Sequence, residues 1–298
     1  MLHKILYYLN WFWQCKVRGR KIPLTSSIIL TDKCNLQCQH CTVSNLGYPD
    51  LSYETVKSDL KKLYDSGSRM LVVTGGEPFL WKNNGYHLED VLQYAKDLGF
   101  FRIVVCTNGT FELKSNTDFL WVSLDGFPKE HNEIRGRIYD DVLKNIEQSN
   151  HRSIYINFTI SKINLTVLER SAEAMFKFKN IKGILFHLVT PYIGSDKSIM
   201  LSQEERQEAI QTIYRIKKRH PLKVSNTFDG IKLLKTNSWK RPVWSSIVIN
   251  QGEIGSCCCR KGIYDSDVCS QCGCSPATET SALQQLKPLA IIENLRFL

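Results

Sequence analysis

Thr31-Asp-Lys-Cys34-Asn-Leu-Gln-Cys38-Gln-His-Cys41 is the stretch from which the rest of the chain is read. It follows a short β-branched and apolar run, Ser26 to Leu30, and carries its cysteines as C-x3-C-x2-C. Cubane iron–sulfur clusters are normally held by four Cys thiolates, so three on one tight loop leave one iron open to an exogenous chelator. Short cysteine runs also bind zinc or stay free, and the spacing alone does not choose among these.

A second apolar run, Met70 to Thr74, leads directly into Gly75-Gly76-Glu77-Pro78. Two glycines allow close backbone approach of a ligand, and Glu77 offers a carboxylate to an ammonium group. Further on come Val122-Ser-Leu-Asp-Gly126, His131-Asn-Glu-Ile-Arg-Gly136 and Asn157-Phe-Thr-Ile-Ser161 with Asn164. Taken in this order, from about residue 24 to 190, these segments resemble the radical SAM superfamily. The resemblance implies a 4Fe–4S cluster on Cys34, Cys38 and Cys41, with S-adenosylmethionine (SAM) completing it. It implies that Gly75, Gly76 and Glu77 hold the amino end of SAM. Ser123 and Asp125 are then candidates for its ribose or amino-acid end, and Arg135 for its carboxylate. His40 would pack over the cluster or the adenine. The bland reading of Ser123 and Asp125 is a strand-end turn completed by Gly126. A reductant such as flavodoxin or ferredoxin is implied as partner, and a 5′-deoxyadenosyl radical as the species that takes hydrogen from substrate.

The chain has 298 residues, 43% of them hydrophobic, enough for one large α/β domain or one domain with an appendage. Of its 11 cysteines only Cys15 and Cys106 stand outside two tight groups. Clustered thiols suit metal binding in a reducing cytosol better than a disulfide framework. The formal charge of +10 raises nucleic acid or an anionic membrane as partners. Its cations are spread through helical segments such as Lys61-Lys62 and Arg215 to Arg219, with no stacked-aromatic RNA module, which argues against nucleic acid.

From Met1 to Lys21, Leu2, Ile5, Leu6, Leu9, Phe12 and Trp13 recur at helical spacing, and Lys16, Arg18, Arg20 and Lys21 follow. The apolar part is too short to span a bilayer. Two readings stand: an amphipathic helix lying on a membrane surface, and a helix packed across one end of a barrel. Beyond it, apolar runs at 26–30, 70–74, 102–106, 119–124, 154–161 and 183–189 alternate with helical patterns at 53–65, 87–97, 139–148 and 166–178. This reads as an α/β fold, a partial (β/α)6 TIM-like barrel whose active groups gather at the C-terminal strand ends. The link between Cys106 and Phe119 is too short for a full helix. Ser202 to His220 reads as a helix capped by Ser202 and Glu205, Pro221–Thr227 and Ser246–Asn250 as short strands, and the tail as helical around Ala282–Lys287. The division follows: residues 1–23 a helix, 24–200 the barrel, 201–298 a cysteine-rich cap.

That cap carries Cys257, Cys258, Cys259, Cys269, Cys272 and Cys274. They read as an auxiliary 4Fe–4S cluster, as in relatives with a SPASM or twitch extension, as a structural zinc site, or as a thiolate acting on substrate. Three consecutive cysteines cannot all face one metal without backbone contortion, and the spacing departs from the seven-cysteine SPASM pattern, so a single cluster is expected with its four ligands unassigned. The function expected is a radical SAM enzyme acting on a peptide, small molecule or lipid. The competing class is a non-catalytic iron–sulfur or zinc protein for electron transfer or scaffolding. The Ser-Leu-Asp-Gly and His-x3-Arg-Gly patterns are similar to those of relatives modifying ribosomal peptides. The absence of a peptide-recognition domain ahead of the barrel weighs against a peptide, and the aromatic helix points to a lipid reached from a membrane surface. His187, Tyr192 and Asn226 read as core or loop residues before cavity residues.

Overall fold

The computed structural model describes residues 2–192, 194–237, 239–255, 258 and 265–297. Strands and helices alternate as α1 (Leu2–Lys16), β1 (Thr25–Ile29), α2 (Tyr53–Asp65), β2 (Met70–Thr74), the hairpin β3 (Lys82–Asn83) and β4 (Tyr86–His87), α3 (Leu88–Leu98), β5 (Arg102–Thr107) and β6 (Phe119–Ser123). There follow α4 (Pro128–Arg135), α5 (Tyr139–Gln148), β7 (Ile154–Ile160), α6 (Leu168–Met175), β8 (Ile181–Leu188), α7 (Gln203–Arg219) and α8 (Phe228–Thr236). The chain ends in β9 (Ser246–Asn250), β10 (Glu253–Ile254), α9 (Ser266–Ser270), α10 (Ser275–Gln284) and α11 (Pro288–Asn294).

The main sheet has the order β10-β9-β1-β2-β5-β6-β7-β8, eight strands with only β10 antiparallel to its neighbour. The expected six parallel strands are all present. They form because β-branched and apolar residues dominate these runs and bury at least one face under the helices, as at β7, where Ile154, Ile156, Phe158 and Ile160 alternate with Tyr155, Asn157 and Thr159. The sheet draws β9 and β10 from beyond residue 200, and β9 pairs in parallel along the whole of β1. One continuous core lies between sheet and helices. In α3, for example, Leu88, Val91, Leu92 and Ala95 recur at helical spacing and are fully buried or nearly so.

Several local expectations are corrected. Pro221–Thr227 forms no strand, only a bridge between Val224 and Ile184, because Asn226 meets β8 through its side chain instead. The tail helix ends at Gln284, and Leu286 adopts φ 59, which stops it before Pro288 starts α11. Helix α4 lay unread in the sequence although Pro128 stands in its first turn. The capping box of α7 on Ser202 and Glu205 is present as read, and no helix forms between β5 and β6.

The free edge of β8 is covered. Ile184 N donates to Lys223 O at 2.8 Å, Phe186 N to Asn226 Oδ1 at 2.9 Å, and Leu188 N to Gly273 O at 3.0 Å. Helix α1 crosses the opposite end of the barrel from the cysteine loop, and no described helix is long and apolar enough to cross a membrane.

Behind β8, Glu279 of α10 accepts from Thr227 N at 2.9 Å and Thr227 Oγ1 at 2.6 Å. Nearby, fully buried Lys217 donates to the carbonyls of Pro221 and Val224 and pairs with Glu293. Burial pushes the Glu279 carboxyl up to about 7 against the opposing pull of Thr227. A raised acid holds its proton in the folded state and releases it when unfolded. Stability therefore falls as pH rises from the ordinary carboxylate range through about 7. The melting temperature is expected to be lower at pH 8 than at pH 5.5, and Glu279→Gln to flatten that slope. A variant that melts with the same pH dependence as the wild type would refute the assignment.

Candidate active site

The cysteine loop leaves β1 and is shaped by two side chains. Buried Asp32 accepts from Leu46 N at 2.8 Å and Tyr48 N at 3.1 Å, folding the far arm of the loop back. Asn45, at φ 57, accepts from Cys34 N at 2.9 Å and donates to Leu36 O at 3.2 Å, a left-handed position that Asn tolerates better than most residues. Cys41 N closes a turn on Cys38 O at 3.0 Å.

The end of β2 is strapped to this loop. Gly76 N donates to Thr31 O at 2.7 Å and Glu77 N to Lys33 O at 2.8 Å, extending the β1–β2 ladder beyond the strands. A Cβ on Gly75 would stand 2.2 Å from Thr31 O, and one on Gly76 2.2 Å from Lys33 O. The close approach these glycines permit is thus that of the loop's own backbone. The Glu77 carboxylate is fully buried and accepts from Thr107 Oγ1 at 2.9 Å, Asn108 N at 2.7 Å and Phe79 N at 3.2 Å. Asn108 in turn donates to Asn35 Oδ1 at 2.8 Å and points its amide at Cys34 Sγ, 3.7 Å away.

Asp125, on the turn after β6, and Arg135, at the end of α4, meet in a buried ion pair with Nε 2.5 Å from Oδ2. The other oxygen of Asp125 accepts from Thr159 N on β7 at 2.7 Å. Asn164 donates to Asp125 O at 2.9 Å, and Asp125 N donates to His131 Nδ1 at 3.1 Å. Burial opposes the charge on Asp125, but Arg135 together with His40 and His131 outweighs it and holds the carboxyl below its usual range. Burial likewise works against Arg135, which Asp125 and Cys38 keep charged. His131 is pushed down to about 4 by burial, so its Nδ1 is free of a proton and accepts. Arg135 also reaches toward Cys38 Sγ at 4.0 Å, and Gln39 N anchors the loop on Ile134 O at 3.0 Å. Burial pushes the Cys34 and Cys38 thiols up, with Arg135 opposing this at Cys38. Ser123 sits half-buried at the end of β6 opposite Asn157, whose Oδ1 is buried and has no hydrogen-bond donor.

The Cys272–Cys274 turn of the second cysteine group reaches the same end of the barrel by a different route. Cys257 and Cys259 lie outside the described residues. Cys258 and Cys274 pack against a small cluster containing Leu233, Trp239 and Cys272. Arg206 donates to Cys272 O at 2.7 Å, and Arg241 bonds Cys269 O while stacking 3.7 Å over Trp239. Burial pushes the Cys272 thiol up; Arg241 and Arg206 pull the other way. The Cys272-Gly273-Cys274 turn lies directly on β8: Gly273 N donates to Thr190 Oγ1 at 3.0 Å, and a Cβ there would be 2.1 Å from Leu188 O. His187 accepts from Ser275 N at 3.3 Å, its Nε2 has no partner, and it lies in the field of Asp125 and Arg135. Burial pushes it down to about 4. Among the described residues no three His, Cys, Asp or Glu side chains meet in metal-holding geometry. The fold sets the first cysteine loop after β1 and the Cys272–Cys274 turn after β8, both at the C-terminal ends of the parallel strands.

Nothing in the sequence marks Asp32 and Asn45 as site residues, since their contacts depend on backbone partners distant in sequence. Thr107-Asn108-Gly109 stands at the C-terminal end of its apolar run, where active groups are expected, and Thr159 lies within the Asn157–Ser161 segment, but nothing local assigns either a contact. Removing one member of a buried ion pair strands the other, at a cost of about 3–5 kcal/mol. Asp125→Asn is therefore expected to lower unfolding stability by roughly that amount, read from urea melts. A loss typical of a surface substitution would show that the pair carries little.

Residues 28–177, half of the chain, match the family model of the radical SAM superfamily. Fe-coproporphyrin III synthase of Methanosarcina barkeri is 30% identical over 254 residues, 75% of this chain and 62% of that protein. The subtilosin biosynthesis protein AlbA of Bacillus subtilis is 30% identical over 156 residues, 47% of this chain and 33% of AlbA. The chain thus spans less than two thirds of either relative. In fold it is similar to Streptococcus suis SuiB bound to S-adenosylmethionine, with a TM-score of 0.64 at 16% identity over 93% of this chain and 69% of SuiB. SuiB bound to its precursor peptide SuiA gives 0.63 at 15% identity, over 93% and 68%. Matching motifs, parallel sheet and loop placement converge on one conclusion: the chain belongs to the radical SAM superfamily, enzymes that use a 4Fe–4S cluster and SAM.

Proposed function

We propose that this protein reductively cleaves SAM and takes a hydrogen atom from a peptide or small organic substrate. The observation that supports this best is the backbone strapping of Gly76 and Glu77 to Thr31 and Lys33. It makes the cysteine loop and the Gly-Gly-Glu turn one rigid unit, which a passive electron carrier or zinc scaffold does not need. The residues fit the cofactors: three soft thiols share one loop, and Asn157 Oδ1 is a buried acceptor still awaiting a donor. When bound on Cys34, Cys38 and Cys41, the cluster supplies the electron that breaks the C5′–S bond and frees the 5′-deoxyadenosyl radical.

The chain's own residues bind and orient. Glu77, set by Thr107, Asn108 and Phe79, takes the amino group of SAM together with the backbone of Gly75 and Gly76. Arg135, kept charged by Asp125, takes the carboxylate, and Ser123 with Asn157 takes the ribose. The second group, Cys257, Cys258, Cys259, Cys269, Cys272 and Cys274, holds an auxiliary 4Fe–4S cluster, with zinc as the alternative. Substrate lies between the two groups, beside His187. Residues 24–200 handle SAM; beyond them β9 and β10 complete the barrel sheet and the cysteine-rich segment forms the cap. Flavodoxin or ferredoxin supplies electrons in the cytosol.

The test uses anaerobically reconstituted protein with dithionite and SAM, reading 5′-deoxyadenosine beside iron and sulfide. Wild type is expected to form the nucleoside. Cys34→Ala, Cys38→Ala and Cys41→Ala together should abolish it while leaving about half of the iron on the second group. Fully loaded wild-type protein that makes no nucleoside, with or without peptide and small-molecule substrates, would favour the electron-transfer alternative. Loss of all iron in the triple variant would favour zinc at the second group.

Arg135→Lys removes the guanidinium fork but keeps the charge. It is expected to raise KM for SAM by roughly ten- to a hundredfold, the worth of a charged hydrogen bond. An unchanged KM would remove Arg135 from the SAM site.

A further inference from the structure

Helix α1 has two faces, and the fold uses one. On that face Trp11 is buried, donates to Ile22 O at 2.9 Å and stacks with Trp244. Tyr7 donates to Gly67 O at 2.8 Å, and Tyr7 and Tyr8 set their rings edge-on to Phe101. Ile22, Gly67, Phe101 and Trp244 stand just ahead of β1, β2, β5 and β9. The helix therefore lies across the N-terminal ends of the parallel strands, at the far end of the barrel from both cysteine groups.

On the opposite face Ile5, Leu6, Leu9 and Trp13 recur at helical spacing and are exposed, Leu9 by 61%, with Val17 beyond them at 66%. An apolar stripe of this kind on a helix already anchored along its other side calls for an occupant. Its charge says which. From Met1 to Thr31 the chain has no acidic residue, while Lys16, Arg18, Arg20 and Lys21 follow the stripe, all exposed. Arg18 lies 4.2 Å over the Trp13 ring, joining a cation to an interfacial aromatic.

A second apolar strip stands at the same end of the strands. Leu289, Ile292 and Leu295 are exposed, and Arg296 after them bonds the carbonyls of Pro221 and Val224, next to Lys223, which reaches Ile181 O at the start of β8. Hydrocarbon faced by negative charge is what an anionic bilayer offers and what a second copy of this basic chain does not.

We propose that α1 docks the protein in the plane of an anionic lipid surface, Ile5, Leu6, Leu9 and Trp13 entering the acyl boundary and the cations after Cys15 meeting the headgroups. The catalytic mouth then faces away from the bilayer. Substrate and reductant arrive from the aqueous side, in place of the membrane-borne lipid that the aromatic helix suggests in the sequence.

The test is co-sedimentation of the full-length reconstituted protein with vesicles of phosphatidylcholine, alone or mixed with phosphatidylglycerol. Binding is expected only to the anionic vesicles and to weaken with salt. Each of Lys16→Gln, Arg18→Gln and Arg20→Gln should lower the partition coefficient about fivefold. Leu6→Ser, Leu9→Ser and Trp13→Ser together should abolish binding while circular dichroism and melting temperature stay unchanged, since these side chains face outward. Wild-type protein that stays in the supernatant with anionic vesicles would overturn the proposal. So would a wild-type dimer that the triple variant converts to monomer, because a second copy would then own the stripe.

Discussion

Everything at the catalytic end depends on two backbone hydrogen bonds, Gly76 N to Thr31 O and Glu77 N to Lys33 O. They carry the β1–β2 ladder past the ends of both strands, so that two loops which would otherwise move separately share one framework. Glycine is required at both positions because a Cβ at either would stand 2.2 Å from a backbone oxygen of the cysteine loop. From this strap the order spreads outward. Glu77 turns its carboxylate onto Thr107 and Asn108, and Asn108 reaches back to Asn35 and Cys34.

The same end concentrates buried charge. Asp125, Arg135 and Glu77 are buried there beside half-buried thiols, and each of the three is paired or hydrogen-bonded. Such pairs add little net stability over well-packed apolar residues, since desolvation offsets most of the attraction. Their value is positional. The Asp125–Arg135 pair ties the turn after β6 to the end of α4 and, through Thr159, to β7. Arg135 is thereby held beside Cys38 as a fixed cation.

How far the sequence foretold this follows from how local each signal is. The parallel strands and most helices were legible because period and capping act over a few residues, as Ser202 and Glu205 show at α7. Cys34, Cys38 and Cys41 were legible because their spacing is itself the motif. Their supporting contacts were not. Asn45 serves Cys34 from eleven residues away by accepting from its backbone N–H, and Thr159 serves Asp125 from thirty-four through its own N–H, groups that every residue but proline possesses. The placement of the second cysteine group was hidden for a similar reason: it depends on Gly273 meeting Leu188. The buried and bare faces of α1 look alike as sequence, both rich in aromatic and aliphatic residues. Only the position of Phe101 and Trp244 tells them apart.

An open barrel leaves a last strand whose outer row of amides and carbonyls is a template for any extended chain. Here β8 is that strand, and its outer row is taken up by Lys223, Ser225, Asn226, Gly273 and Ser275. The cysteine turn is therefore also a guard rail against strand addition. Anything that loosens Cys272 to Cys274 bares a hydrophobic edge, so the integrity of the thiol group and the colloidal behaviour of the protein are coupled.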